Sequence, residues 1–167
     1  IEYLLSTIVN KLNLNALNPK LPIEFSDVYD QKKYTKSQNY TRTNTLFSFI
    51  TSTFSTILTL IVILFGIFNY FDIFIRSFGF GEIINGLLFF GLLIIANDIL
   101  TIPFSLYKNF IIEEKFGFNK TSYKTFFTDK MKGYILMLIL GAPLLASLLF
   151  FFERFDTYAW FFAWIVL

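Results

Sequence analysis

The sequence contains no cysteine and no histidine. Disulfides, thiol nucleophiles, imidazole bases and the usual zinc ligands are thereby excluded, so this chain by itself cannot form a conventional zinc enzyme. Only hard, carboxylate-type metal binding stays open. Charge is scarce as well: 16% of residues are charged, against about 25% in an ordinary soluble domain. The net charge of +2 is too small to imply a nucleic-acid partner. No internal repeat and no low-complexity linker divides the chain, which reads as one domain. Apolar residues fill the place of the missing charge. The chain is 55% hydrophobic and 21% aromatic, with a mean hydropathy of +0.60.

The apolar residues come in blocks, at 46–68, 87–107 and 133–152. Each is close to the ~20 residues that cross a ~30 Å hydrocarbon core as a helix. Three complete spans are predicted, embedded in a lipid bilayer. Residues 1–9 stop short of a span, and residues 158–167 end within an apolar stretch. Both read as halves of helices that continue outside the sequence. Without a basic segment or a small-residue cleavage site, the start does not read as a signal peptide. The fold class is therefore all-α, a polytopic membrane helical bundle of three complete spans plus two truncated terminal ones.

Positive charge gives these spans a direction. The connection 10–45 holds six Lys and Arg, 69–86 holds only Arg76, 105–132 holds six Lys, and 153–157 holds only Arg154. Cytoplasmic connections keep Lys and Arg, so 10–45 and 105–132 are predicted to be cytoplasmic. Whatever follows residue 167 should then emerge on that side too.

Three polar features interrupt the apolar background. In the first span Ser48, Thr51, Ser52, Ser55, Thr56 and Thr59 recur at i, i+3, i+4, i+7, i+8 and i+11, one continuous helix face. A hydroxyl without a partner is costly in lipid, so this stripe should meet protein or a water-filled chamber. In the second span Asp98 and Thr101 share a face with Ser105, and Asn97 lies beside them. An ionisable residue at that depth either marks function or pairs with a neighbouring helix. Pro103 frees a backbone carbonyl near Ile99 one turn earlier. The third feature is the basic connection itself. From Thr121 onward, Tyr123, Phe126, Phe127, Met131 and Tyr134 follow helical spacing with Lys120, Lys124, Lys130 and Lys132 largely between them. That pattern predicts a basic amphipathic helix at the interface, with Thr121 or Ser122 as N-cap and Gly117 supplying the turn before it.

Other candidates weigh less. Glu113 and Glu114 are paired carboxylates, but helix neighbours point about 100° apart and share one substrate proton poorly. A solvated or salt-bridged pair is the simpler expectation. Gly79-Phe80-Gly81 has no strand before it and reads as a turn, not a dinucleotide loop. Ala142 and Ala146 suit close helix packing, with Pro143 bending their helix. Tyr158, Trp160 and Trp164 suit interfacial anchoring.

Several strings carry a resemblance in one colinear order across nearly the whole chain. Pro103-Phe104-Ser105-Leu106-Tyr107 followed by Glu113-Glu114-Lys115-Phe116-Gly117-Phe118-Asn119 resembles the N-terminal membrane region of the type 1 CAAX prenyl proteases. Leu21-Pro22 through Phe25, Asp27 and Tyr29, then Tyr34, Lys36-Ser37-Gln38 and Tyr40, resemble the segment between that family's first two spans. Tyr158-Ala159-Trp160 resembles the start of its fifth span. The resemblance implies part of a seven-span helical barrel around a water-filled chamber, in an integral zinc endopeptidase that cleaves prenylated CAAX proteins. Its zinc is held by an H-E-x-x-H motif after the fifth span, beyond the last residue here. No catalytic or metal-binding residue is therefore transferred, and zinc is expected in the full-length protein only.

On that basis the chain is expected to be the N-terminal membrane domain of such a protease, in a bacterial inner membrane or an endoplasmic reticulum membrane. The downstream zinc domain would be absent and the chain alone inactive, with prenylated or lipophilic peptides the substrates of the full-length protein. The Ser/Thr stripe, Asp98 and Thr101 are then candidates for a chamber wall. Glu113, Glu114, Lys115, Gly117, Phe118 and Asn119 are candidates for contact with the catalytic domain. A transporter or channel module, or a scaffold for lipidated peptides, would use the same surfaces without chemistry.

Overall fold

The computed structural model describes residues 1–155 together with Trp160 and Trp164. Among these residues there is no strand. Six α-helices follow one another: α1 (Glu2–Ala16), α2 (Gln31–Leu64), α3 (Ile67–Arg76), α4 (Glu82–Tyr107), α5 (Tyr123–Leu136) and α6 (Ala142–Phe155). A π-helical turn at Lys108–Glu113 prolongs α4, and another at Met137–Gly141 joins α5 to α6. Three helical stretches are long and apolar enough to cross a membrane, at Gln31–Leu64, Glu82–Glu113 and Tyr123–Phe155.

These helices are longer than the apolar runs they contain. The 34 residues of α2 extend about 51 Å at ~1.5 Å per residue, against a ~30 Å hydrocarbon core. The surplus lies toward its polar N-terminus. There Asp30 caps the helix, its carboxylate accepting the Lys33 amide at 2.9 Å. The first and third basic connections thus shrink to 17–30 and 116–122, because their charged flanks are helical.

Two boundaries differ from the sequence expectation. The run 46–68 is broken at Gly66, whose φ of +62° is left-handed and open to glycine at no steric cost. Helix α2 therefore ends at Leu64, and Phe68 belongs to α3. The expected separate interfacial helix from Thr121 is instead the first half of a helical stretch running through the third apolar span. Gly133 follows Lys132 but stays helical, so the backbone continues without a break. Ser122 is the N-cap as expected, its hydroxyl accepting the Thr125 amide at 3.1 Å. The truncated span predicted at 158–167 lies outside the described residues apart from Trp160 and Trp164, both exposed.

The chain forms two compact units. One comprises Ile1–Phe65 with Pro103–Lys120, the other Gly66–Ile102 with the described residues from Thr121 onward. In the first, Tyr3 of α1 and Thr53 of α2 share a hydrogen bond of 2.7 Å. The proline-bearing connection is tied to the start of α2 by Gln31, which accepts from the Leu21 amide and donates to the Pro19 carbonyl. Thr35 donates to that same carbonyl. These side chains satisfy backbone groups that no helix provides for. In the second unit, Gly86 of α4 lies against Leu149 of α6, so closely that a Cβ there would meet Leu149 Cδ1 at 2.6 Å.

Buried apolar side chains are few: Ile75, Phe110, Ile112 and Phe116. Leu64, Phe65, Leu138, Ile139, Leu140 and Leu144 are all exposed. Exposed apolar surface of this extent is unstable in water and natural against acyl chains or further protein.

Candidate functional site

In the first unit the string Glu113–Asn119 is held by a backbone turn and by side chains of α2. Gly117 has φ +72°, and the Phe118 amide bonds the Glu113 carbonyl at 2.8 Å while the Gly117 amide bonds that of Glu114 at 2.9 Å. This paired pattern is a Schellman close, which uses glycine because a Cβ disfavours the left-handed backbone. The turn presents the Glu113 carboxylate to α2, where Tyr40 Oη donates to Oε1 at 2.7 Å. The Tyr40 ring also meets Phe116 and Phe118 edge-on, with centroids 5.3 and 4.8 Å away. Lys36, one turn earlier on α2, stands 5.5 Å over the Phe118 ring. Glu113 is thus held by a tyrosine rather than by a cation, while Glu114 stays exposed.

Beside this cluster lies an apolar cavity of about 500 Å³, lined by Leu46, Phe47 and Ile50 of α2 and by Pro103, Phe104 and Tyr107 of α4. Phe47 stacks on Tyr107 at 5.3 Å, and Phe54 meets Phe104 at 4.9 Å. The proline ring and aromatic faces make a surface suited to an apolar chain, and Thr43 adds a polar group at its edge.

In the second unit Asp98 is paired, not free. Its carboxylate accepts from both Lys130 and Tyr134, which lie four apart on α5 and so share a face. Lys130 also stands 5.7 Å over the Phe126 ring. Thr101 turns its hydroxyl back to the carbonyls of Asn97 and Asp98 at 2.9 and 3.2 Å. Among the connections, Arg76 is held protonated still more firmly than an ordinary arginine, by the hydrogen bonds it donates to Glu82 first and to Asp72 second.

The family model for the CAAX prenyl protease N-terminal region, described as five membrane helices, matches residues 11–167. The chain belongs to that family. A CAAX prenyl protease 1 homolog of Arabidopsis thaliana is 30% identical over 98% of the chain and 41% of its own length. CAAX prenyl protease 1 of Saccharomyces cerevisiae is 30% identical over 83% of the chain and 33% of its own. The crystal structure of S. mikatae Ste24p superposes with a TM-score of 0.87 and 28% identity, covering 99% of this chain and 41% of that one. The chain thus spans about two fifths of the length of the Arabidopsis relative and of Ste24p. Its multi-pass membrane helices correspond to the N-terminal membrane region of these relatives.

Placed within that family's N-terminal region, the sequence candidates divide. Glu113, Phe118 and Gly117 are engaged with α2 or with the turn itself, and Lys115 stands over the Phe116 ring. Along the stripe, Thr51 donates to the Ser48 carbonyl, Ser52 to that of Phe49 and Thr59 to that of Ser55. Ser48, Ser55 and Thr59 are exposed, whereas Thr51, Ser52 and Thr56 are half-buried. Sequence reasoning did not find the partners of Asp98 or of Glu113. The i, i+4 spacing of Lys130 and Tyr134 was available as a signal for the first. Nothing local marks Tyr40 for Glu113, which lies 73 residues on.

Proposed function

We propose that this chain is the membrane domain of a zinc endopeptidase acting on lipidated or membrane-associated peptides, and that its helices wall a chamber in which the peptide is held for hydrolysis. Family membership over residues 11–167 carries the reading. The apolar cavity between Phe47 and Phe104 supports it, because a lipid-modified peptide needs an apolar surface beside a polar one. Six Lys and Arg in each of the connections 10–45 and 105–132 favour a cytoplasmic placement for both, with Glu113–Asn119 offered to a catalytic domain on that side.

The residues of this chain do not fit a zinc site. It has neither histidine nor cysteine, and among the described residues no three acidic side chains converge to hold a metal. Its tasks are then to enclose, orient and partly dry the substrate. The transporter alternative rested on Asp98 lining a solute path, and its pairing with Lys130 and Tyr134 weakens that ground.

The test is to read the gene past residue 167 for an H-E-x-x-H helix and to assay the full-length protein against a farnesylated CAAX peptide in liposomes. Cleavage lost on chelation and restored by zinc is the expected result. Absence of the motif, with no cleavage, removes the proposal.

A further inference from the structure

A second cavity, of about 570 Å³, lies between α4 and the π turn that joins α5 to α6, all within the second unit. Leu87, Phe90 and Ile94 form one wall, and Leu138, Gly141 and Leu145 the other. Its lining residues are all apolar or glycine, so its side chains offer a polar ligand or a water molecule no hydrogen bond. Glycine makes the room: a Cβ on Gly91 would find nothing within 4 Å. A hydrocarbon chain is what such a hollow holds well.

A strip on α5 leads out of the hollow. Lys124, Phe127, Met131 and Ile135 recur at i, i+3, i+7 and i+11, one helix face, and Leu138 continues them into the cavity. All five are exposed. Lys124 belongs to no ion pair among the described residues, whereas Lys130 and Lys132 on the same helix are matched to Asp98 and Asp129. From Lys124 to Leu138 the helix advances about 21 Å at ~1.5 Å per residue. One leaflet with its headgroups is about 20–22 Å deep, half of a ~40–45 Å bilayer. The strip thus has the length of one phospholipid, with a free cation at the headgroup end and an apolar hollow at the other. A zwitterionic headgroup brings its own ammonium and gives Lys124 less than a net-negative one does.

We propose that this face holds one anionic phospholipid, its phosphate at Lys124 and an acyl chain in the hollow beside Gly91. The inference is independent of the proteolytic reading, which assigns none of these residues to the substrate.

The test uses the full-length protein in nanodiscs of phosphatidylcholine doped with phosphatidylglycerol, and native mass spectrometry of the lipid retained. Phosphatidylglycerol should be retained about fivefold over its share, the value of one lysine at an anionic surface. Lys124→Gln, a change at an exposed position, should abolish that preference. Lys132→Gln should leave it, since that lysine already has Asp129. Gly91→Leu fills the hollow with a better helix former, so it should cut retention of both lipids while circular dichroism shows the helices intact. Equal retention of the two lipids, a preference unchanged by Lys124→Gln, or an equal loss in Lys132→Gln overturns the proposal. So does retention unchanged in Gly91→Leu, which would give the hollow to another segment of the protein, or displacement of the lipid by a farnesylated peptide, which would give it to the substrate.

Discussion

Two carboxylates, Glu113 and Asp98, are each held across from another helix, but by different partners. Glu113 sits just past the apolar part of its helix and is satisfied by a neutral phenol, Tyr40. Asp98 sits within an apolar span and receives both a cation, Lys130, and a phenol, Tyr134. Near water a single hydrogen bond suffices, because solvent stabilises the remaining charge. In a low-dielectric span the charge itself must be countered, or the carboxylate would be too costly to retain. The same functional group therefore has a registering role at one depth and forms a neutralised latch at the other.

The sharpest way to break this comparison is to strand one charge. Lys130→Met leaves Asp98 unpaired in the span and should destabilise the protein by about 3 kcal/mol, the lower part of the range for a broken buried pair because both side chains are about a fifth exposed. Adding Asp98→Leu to Lys130→Met should recover most of the loss. Unfolding of the reconstituted protein in a denaturing detergent measures both. A double variant no better than the single one would show that the pair contributes more than mutual neutralisation.

Glu113→Ala should cost less, about 1.5 kcal/mol for one hydrogen bond to a charged group. Tyr40→Phe should match it, since the ring contacts with Phe116 and Phe118 survive. Tyr40→Ala should exceed both by about 1 kcal/mol for the lost aromatic pairs. Limited proteolysis around Gly117 reports the same ranking locally. If Tyr40→Phe proves as damaging as Tyr40→Ala, the hydroxyl and not the ring sets the register of the turn.

Gly117→Ala comes next, at about 1 kcal/mol. A Cβ there would meet only Lys36 Nζ, at an ordinary 3.6 Å, so the cost is backbone strain rather than collision. Asn, which tolerates the left-handed region better, should cost less than Ala when both are compared by thermal unfolding.

Legibility in the sequence followed the range of the interactions. The three membrane-length helices were visible as apolar blocks, and Ser122 and Gly117 were found at their caps, because caps and spans are local patterns. The break at Gly66 was missed since hydropathy runs unchanged through it. The extension of α5 into the third span was missed for the opposite reason, a change of composition without a change of backbone. Asp98 was recognisable as costly, but its partners were not, because Lys130 counted there as one of several interfacial lysines. Tyr40 appeared in a matching string without a role.

The smallest effects are expected along Ser48 to Thr59, and they bear on whether the second helix face is wet. Thr51 and Thr59 donate to carbonyls of their own helix, at 3.1 and 2.8 Å. The hydroxyls are therefore satisfied whether they border lipid, protein or water, and periodicity alone does not require a chamber. Thr59→Ala should change stability by no more than about 0.5 kcal/mol. Reactivity separates the cases where stability does not. The chain has no cysteine of its own, so single cysteines placed along this face in the full-length protein report directly on water access. Under the proposed chamber, the positions of the stripe should react with a membrane-impermeant thiol reagent while Ile50, Ile57 and Ile61, exposed on α2 outside the stripe, stay protected. Uniform protection would make the stripe a dry packing face and remove it from the substrate's path.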